Sequence, residues 1–191
     1  MVISLEVVAI ALVVAALVLA YFIFASFVFG AGYQPTPRPV VETMLRLAEV
    51  GPRDTVFDLG AGTGAIVFRA ARTYRARVVG SEVEPLRVLI LRLRRRLGPE
   101  RDRITIHWGN FFDLDFHDAS VVTAFLWPGA MGRLRAKFEA ELTPGSRVVS
   151  YYHPVPGWTP SRFEEETRVY LYRWPDAAPA PRPTRPVTGG S

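Results

Sequence analysis

The sequence predicts an α/β domain on a mostly parallel sheet of seven strands, closed by an antiparallel carboxy-terminal hairpin and preceded by one transmembrane helix. Three observations carry that prediction. Short β-branched runs alternate with helix-period segments from Thr55 onward, a pattern that demands right-handed crossovers and helices on both faces of the sheet. The last run, 168–174, follows the proline-containing stretch 156–166; with no crossover helix before it, it has to return antiparallel. Residues 7–29 carry no charge and are nearly all apolar. As a helix they would span about 35 Å, enough for a hydrocarbon core of about 30 Å.

The apolar segment leaves no polar stripe for an interfacial helix, and its start, Met1-Val2-Ile3-Ser4-Leu5-Glu6, lacks the basic residues of a signal peptide. Only Glu6 precedes it, whereas Arg38, Arg46 and Arg53 follow. The positive-inside rule therefore expects residues 1–32 to form a single-pass anchor in the cell membrane, with the domain cytoplasmic. Tyr33-Gln34-Pro35-Thr36-Pro37-Arg38-Pro39 is too proline-rich for a helix and reads as extended. A helix fits 40–50, ended by Gly51-Pro52. Strands at 55–59, 77–82, 104–107, 120–125 and 147–151 alternate with helices at 65–74, 85–97 and 131–142. The domain thus covers 33–176. Residues 177–191 hold too little besides Ala, Pro, Arg, Thr and Gly to build a core and read as a disordered tail.

Composition excludes several chemistries. Cysteine is absent, and His107, His117 and His153 are scattered, so neither disulfides, thiolate nucleophiles nor a metal cluster is expected. The net charge is +5, and Lys137 is the only lysine. No aromatic-studded basic motif accompanies the arginines, and no nucleic-acid partner is expected. The run Arg92, Arg94, Arg95, Arg96 reads equally as a solvated helix face or a contact for anionic headgroups. There is neither a G-x-x-x-x-G-K-[ST] phosphate loop nor a G-x-S-x-G nucleophile elbow.

The strongest local signal is Asp58-Leu59-Gly60-Ala61-Gly62-Thr63-Gly64 between a strand and a helix. Glycines there let the backbone turn tightly and a ligand approach closely, and the helix amino terminus beyond offers free N–H groups. At the end of the next strand stands Glu82, where an acid can accept hydrogen bonds from both ribose hydroxyls. Together they describe a site for an adenosine-containing ligand at the topological switch point. Gly60, Gly62 and Ala65 also satisfy the loose dinucleotide pattern, so an NAD(P)-dependent oxidoreductase is an alternative. Asp58 favours S-adenosylmethionine, because a carboxylate before the turn suits an ammonium and repels a pyrophosphate. After the third strand, Gly109-Asn110-Phe111-Phe112 puts Asn110 near an adenine edge and Phe111 on its face.

These stretches, with Tyr33-Gln34-Pro35-Thr36-Pro37, 121–126, 142–150, Gly157-Trp158 and 169–172, resemble the archaeal broad-specificity protein lysine methyltransferase and its membrane-anchored mitochondrial relatives. The match runs in register from about Tyr33 to Trp174. The resemblance implies a Rossmann-like class I methyltransferase sheet and a cofactor, S-adenosyl-L-methionine, held by Asp58, Gly60, Ala61, Gly62, Gly64, Glu82, Asn110 and Phe111. It implies that Tyr33 and Thr36 fold over the methionine end. The expected reaction is in-line transfer to the lysine amine of a protein substrate, itself membrane-associated; a membrane lipid or quinone is the rival acceptor. Tyr33, Phe125 and Trp127 are the expected acceptor channel, with Tyr151 and His153 weaker candidates. No residue stands out as a general base, so none is assigned a catalytic role.

Overall fold

The computed structural model describes residues 4–28 and 34–178. After a first helix, α1 (Leu5–Val28), the chain runs α2 (Arg38–Leu47), β1 (Thr55–Leu59), α3 (Ala65–Thr73), β2 (Arg77–Glu82), α4 (Pro85–Leu97), β3 (Ile104–Trp108), β4 (Val121–Ala124), α5 (Pro128–Glu141), β5 (Arg147–Tyr151), β6 (Arg162–Glu164) and β7 (Val169–Arg173). The sheet order is β3-β2-β1-β4-β5-β7-β6. β1 to β5 run parallel, and β7 enters antiparallel beside β5 with β6 outside it. The chain therefore steps outward from β1 to β3, then returns to the middle as β4. The crevice between the carboxyl ends of β1 and β4 is where such sheets bind ligands.

The central strands are buried on both faces, which is why they read as unbroken apolar runs. Met44 and Leu45 of α2, Val67 and Ala70 of α3 and Leu91 of α4 pack in one core cluster with Val56, Val121 and Val149. Met131, Leu134 and Phe138 of α5 belong to a second, with Phe57, Phe116, Trp158 and Tyr172. At the end of the sheet opposite the crevice, Ser120 donates to Asp54 at 2.7 Å and Arg147 pairs with the same carboxylate, tying three strand entries together.

Two helices begin earlier than periodicity predicts. α2 starts at Arg38 and α5 at Pro128, each with proline in its first turn, where a missing N–H costs nothing and the fixed φ is already helical. β6 supplies the hairpin partner that the seven-strand expectation required but gave no position; its three residues are largely exposed and carry no apolar run. Ala177, drawn from composition into the tail, is buried and accepts the Thr159 N–H at 3.0 Å.

The expected membrane anchor is corrected. Among the described residues no helix is long and apolar enough to cross a membrane. The single-pass location and the orientation built on it are withdrawn. Val14, Leu17 and Tyr21 of α1 instead line a shallow apolar cavity with Pro85, Leu86 and Leu89 of α4, and the Tyr21 hydroxyl donates to the Glu84 carboxylate.

Candidate active site

The carboxyl end of β1 carries Asp58, in register with Gly80 of β2 and Thr123 of β4. It is 4% exposed, and the Thr123 hydroxyl donates to its Oδ1 at 2.8 Å. Burial pushes its pKa up to about 7; the Thr123 hydrogen bond opposes that rise, and the charge of Glu82 adds to it. A carboxylate with so little hydrogen bonding is poised to accept a cation.

Beyond it the loop is held from below. Gly60 and Ala61 donate to the Ser81 carbonyl at 3.0 and 2.8 Å, so the turn remains stitched to β2. Glu82 fastens its other side: Oε2 accepts the Gly62 N–H at 2.8 Å, while Oε1 accepts those of Val83 and Glu84 at 3.0 and 2.9 Å. Arg87 stands 3.7 Å from Oε1 and 3.6 Å from the Glu84 carboxylate. Glu84 in turn caps α4, accepting from Leu86 and Arg87 at 2.9 Å. Glu82 is thus already the buttress of the glycine loop, with part of its lone-pair capacity left for hydroxyl donors. Gly64 is required on two counts. Its φ is +90°, and a Cβ would lie 2.5 Å from the Phe68 ring and 2.7 Å from Leu91.

A cavity of about 160 Å³ opens above this loop. Thr36, Asp58, Gly60, Ala61, Gly62, Glu82, Phe111 and Phe125 line it. Gly64 stands behind the lining as the amino-terminal cap of α3. Asn110 does not reach it: the side chain is exposed, and its Oδ1 accepts the Phe112 N–H at 3.1 Å, capping the short turn at Phe111. Tyr33 lies outside the described residues. Sequence reasoning missed Arg87 and Gln34, both in the wall. The clue to Arg87 was its position three residues after a capping glutamate on the strand-to-helix turn.

A second cavity of about 410 Å³ adjoins the first, and Gln34, Phe125 and Leu126 line both. Its other walls are Trp127 from the start of α5 and Tyr151, Tyr152 and His153 from the end of β5. Tyr152 was not anticipated.

Residues 58–162 match the family model described as the ANTKMT methyltransferase domain. The chain belongs to this family. Over 147 residues it is 39% identical to a protein-lysine N-methyltransferase of Saccharolobus islandicus, covering 73% of this chain and 91% of that protein. It is 33% identical to the mouse adenine nucleotide translocase lysine N-methyltransferase, covering 69% of this chain and 58% of that protein. The crystal structure of an RNA methyltransferase from Salinibacter ruber with S-adenosyl-L-homocysteine superposes with a TM-score of 0.73 at 39% identity, covering 78% of this chain and 98% of that one. This family member is an S-adenosylmethionine-dependent methyltransferase, and the oxidoreductase alternative falls away. The residues present fit that cofactor: Gly60 and Gly62 leave the cavity floor without side chains, and a buried carboxylate short of partners faces a ligand that carries an ammonium.

Proposed function

We propose that this methyltransferase acts on the side-chain amine of a protein lysine. The observation that carries the reading is the second cavity, which shares Gln34, Phe125 and Leu126 with the first and is otherwise walled by aromatic side chains. A lysine has a four-carbon apolar stem and a head that must lose a proton, with a usual pKa of about 10.4, before it is nucleophilic. Aromatic walls pack the stem and disfavour the charged head by desolvation. The names of the archaeal and mouse relatives support the same acceptor.

In this reading Asp58 holds the ammonium of the cofactor's amino-acid end, the amides of the glycine loop hold its carboxylate, and Glu82 takes the ribose hydroxyls. Thr36 and Phe111 close over it. When bound, the cofactor supplies a methyl already activated on a sulfonium. The chain's own task is then alignment and exclusion of water, since an in-line displacement of this kind needs little more than a held geometry. Phe125 and Leu126, in both cavity walls, meet that need where the two substrates come together.

One feature favours a second acceptor. Arg38, Arg69, Arg72 and Arg94 line a cleft of about 550 Å³ that begins at Thr63 of the glycine loop. It has the charge to hold phosphates, consistent with the RNA acceptor in the name of the Salinibacter protein. One experiment separates the acceptors: host extract is incubated with the protein and methyl-labelled S-adenosylmethionine, then divided between protease and ribonuclease. Label that protease releases, and that mass spectrometry assigns to lysine, is the expected result. Label removed by ribonuclease sinks the lysine reading.

A further inference from the structure

Parallel neighbours β4 and β5 release their chains side by side, and the residues that follow enclose the second cavity. Phe125, Trp127, Tyr151, Tyr152 and His153 form a continuous series of rings. Their centroids are 4.4 Å apart for Phe125 and Tyr151, 6.2 Å for Tyr151 and Tyr152, 5.0 Å for Tyr152 and His153, and 5.7 Å for His153 and Trp127. The described lining residues include no aspartate or glutamate.

The backbone is strained to achieve this. Tyr152 has φ +68°, and the His153 N–H donates to the Tyr151 carbonyl at 2.8 Å across it. A three-residue turn of that hand is rare, and such strain gathers at functional sites. Core packing does not demand it, since Trp127 and Tyr152 remain 59% and 43% exposed. One face of the Tyr152 ring is occupied by the Arg168 guanidinium, 4.2 Å from its centroid.

A primary ammonium keeps three N–H donors and a tight hydration shell, and a pocket without a carboxylate offers little in exchange. Each methyl removes a donor and loosens the hydration while the positive charge remains. Ring faces then bind the group by cation–π attraction. The geometry points to a methylammonium site: the chamber of Phe125, Trp127, Tyr151, Tyr152 and His153 binds a methylated lysine head in preference to an unmethylated one. Partly methylated lysine is thereby retained in the crevice between transfers. This inference rests on the protein-lysine reading. In each transfer the amine lone pair forms the N–C bond and the electron pair of the broken C–S bond stays on sulfur. The new ammonium gives one proton to water before its nitrogen reacts again.

The test needs no turnover. The full chain is titrated calorimetrically with choline and with 3,3-dimethylbutan-1-ol, its uncharged isostere. Wild type is expected to bind choline about tenfold more tightly, and Trp127→Leu and Tyr152→Leu each to erase the preference while circular dichroism stays unchanged. Equal affinities, no saturable choline binding, or a preference that survives both substitutions overturns the inference. A second arm analyses the labelled lysines from host extract. Wild type is expected to leave a higher share of dimethyl- and trimethyl-lysine than Trp127→Leu does. Equal shares overturn the inference while the lysine reading stands; label on RNA alone, or none, overturns the lysine reading and leaves the cation site to the titration.

Discussion

The two ends of the crevice share one sheet edge and solve opposite problems. At β1 and β2 the walls are carboxylates and backbone amides, buried and cross-linked: Glu82 alone accepts three N–H groups. At β4 and β5 the walls are aromatic, and Trp127 and Tyr152 are left largely in solvent. The first end suits a small charged molecule of constant shape, for which buried charge gives affinity. The second suits the tip of a long side chain that must arrive, lose a proton and leave. Rigid polar burial and exposed apolar shape are separate tools, placed in two adjoining cavities.

The largest effect expected from that contrast is on ligand binding. Asp58→Ala should weaken S-adenosylhomocysteine by about 100-fold or more in calorimetry, the cost of stranding a buried cationic partner. Trp127→Leu should change the same affinity by less than about threefold. Comparable losses at both positions would erase the distinction.

Next in size is Gly64→Ala. A methyl there meets the Phe68 ring and Leu91 on a left-handed backbone, and denaturant unfolding should show a loss of about 3 kcal/mol.

Acidity sharpens the contrast further. The pKa of Asp58 is raised by folding to about 7, so the native state holds a proton that the unfolded chain has released. That contribution to stability is fully present below the usual carboxylate range and is lost as pH climbs through about 7. The ligand-free protein should therefore lose Tm between about pH 4 and 7, more steeply than Asp58→Asn. Binding runs the other way, because an ammonium needs the ionised carboxylate. Affinity for S-adenosylhomocysteine should fall about tenfold per unit as pH drops below 7, and Asp58→Asn should flatten that slope.

The smallest change is expected at the aromatic end. Gly129 lies in the first turn of α5, and an added Cβ there meets nothing within 4 Å. Gly129→Ala should raise stability by about 0.5 kcal/mol in thermal unfolding, opposite in sign to Gly64→Ala.

The boundaries of β1, β2, α4 and β5 stood in the sequence because each is a dense apolar or periodic run bounded by Gly, Pro or a capping acid. The glycine loop, Asp58 and Glu82 were legible for a related reason: a tight turn between strand and helix admits few residue types. Asn110 stands outside the cavity lining, its Oδ1 accepting the Phe112 N–H of its own turn, a contact that no sequence pattern announced. Tyr152 was illegible because a strained left-handed residue after β5 has no local signature. The rings that meet its neighbours, Phe125 against Tyr151 and Trp127 against His153, come from an earlier loop that only strand pairing brings near.

Short-range steric rules, acting within about ten residues, were thus enough to mark most strand and helix boundaries, the glycine loop and the carboxylates beside it, whereas the strand order rests on long-range pairing. The meeting of Phe125, Trp127 and the Tyr151-Tyr152-His153 turn was decided only in three dimensions. So was the second duty of Glu82, a buried charge that had to find backbone donors once water was gone.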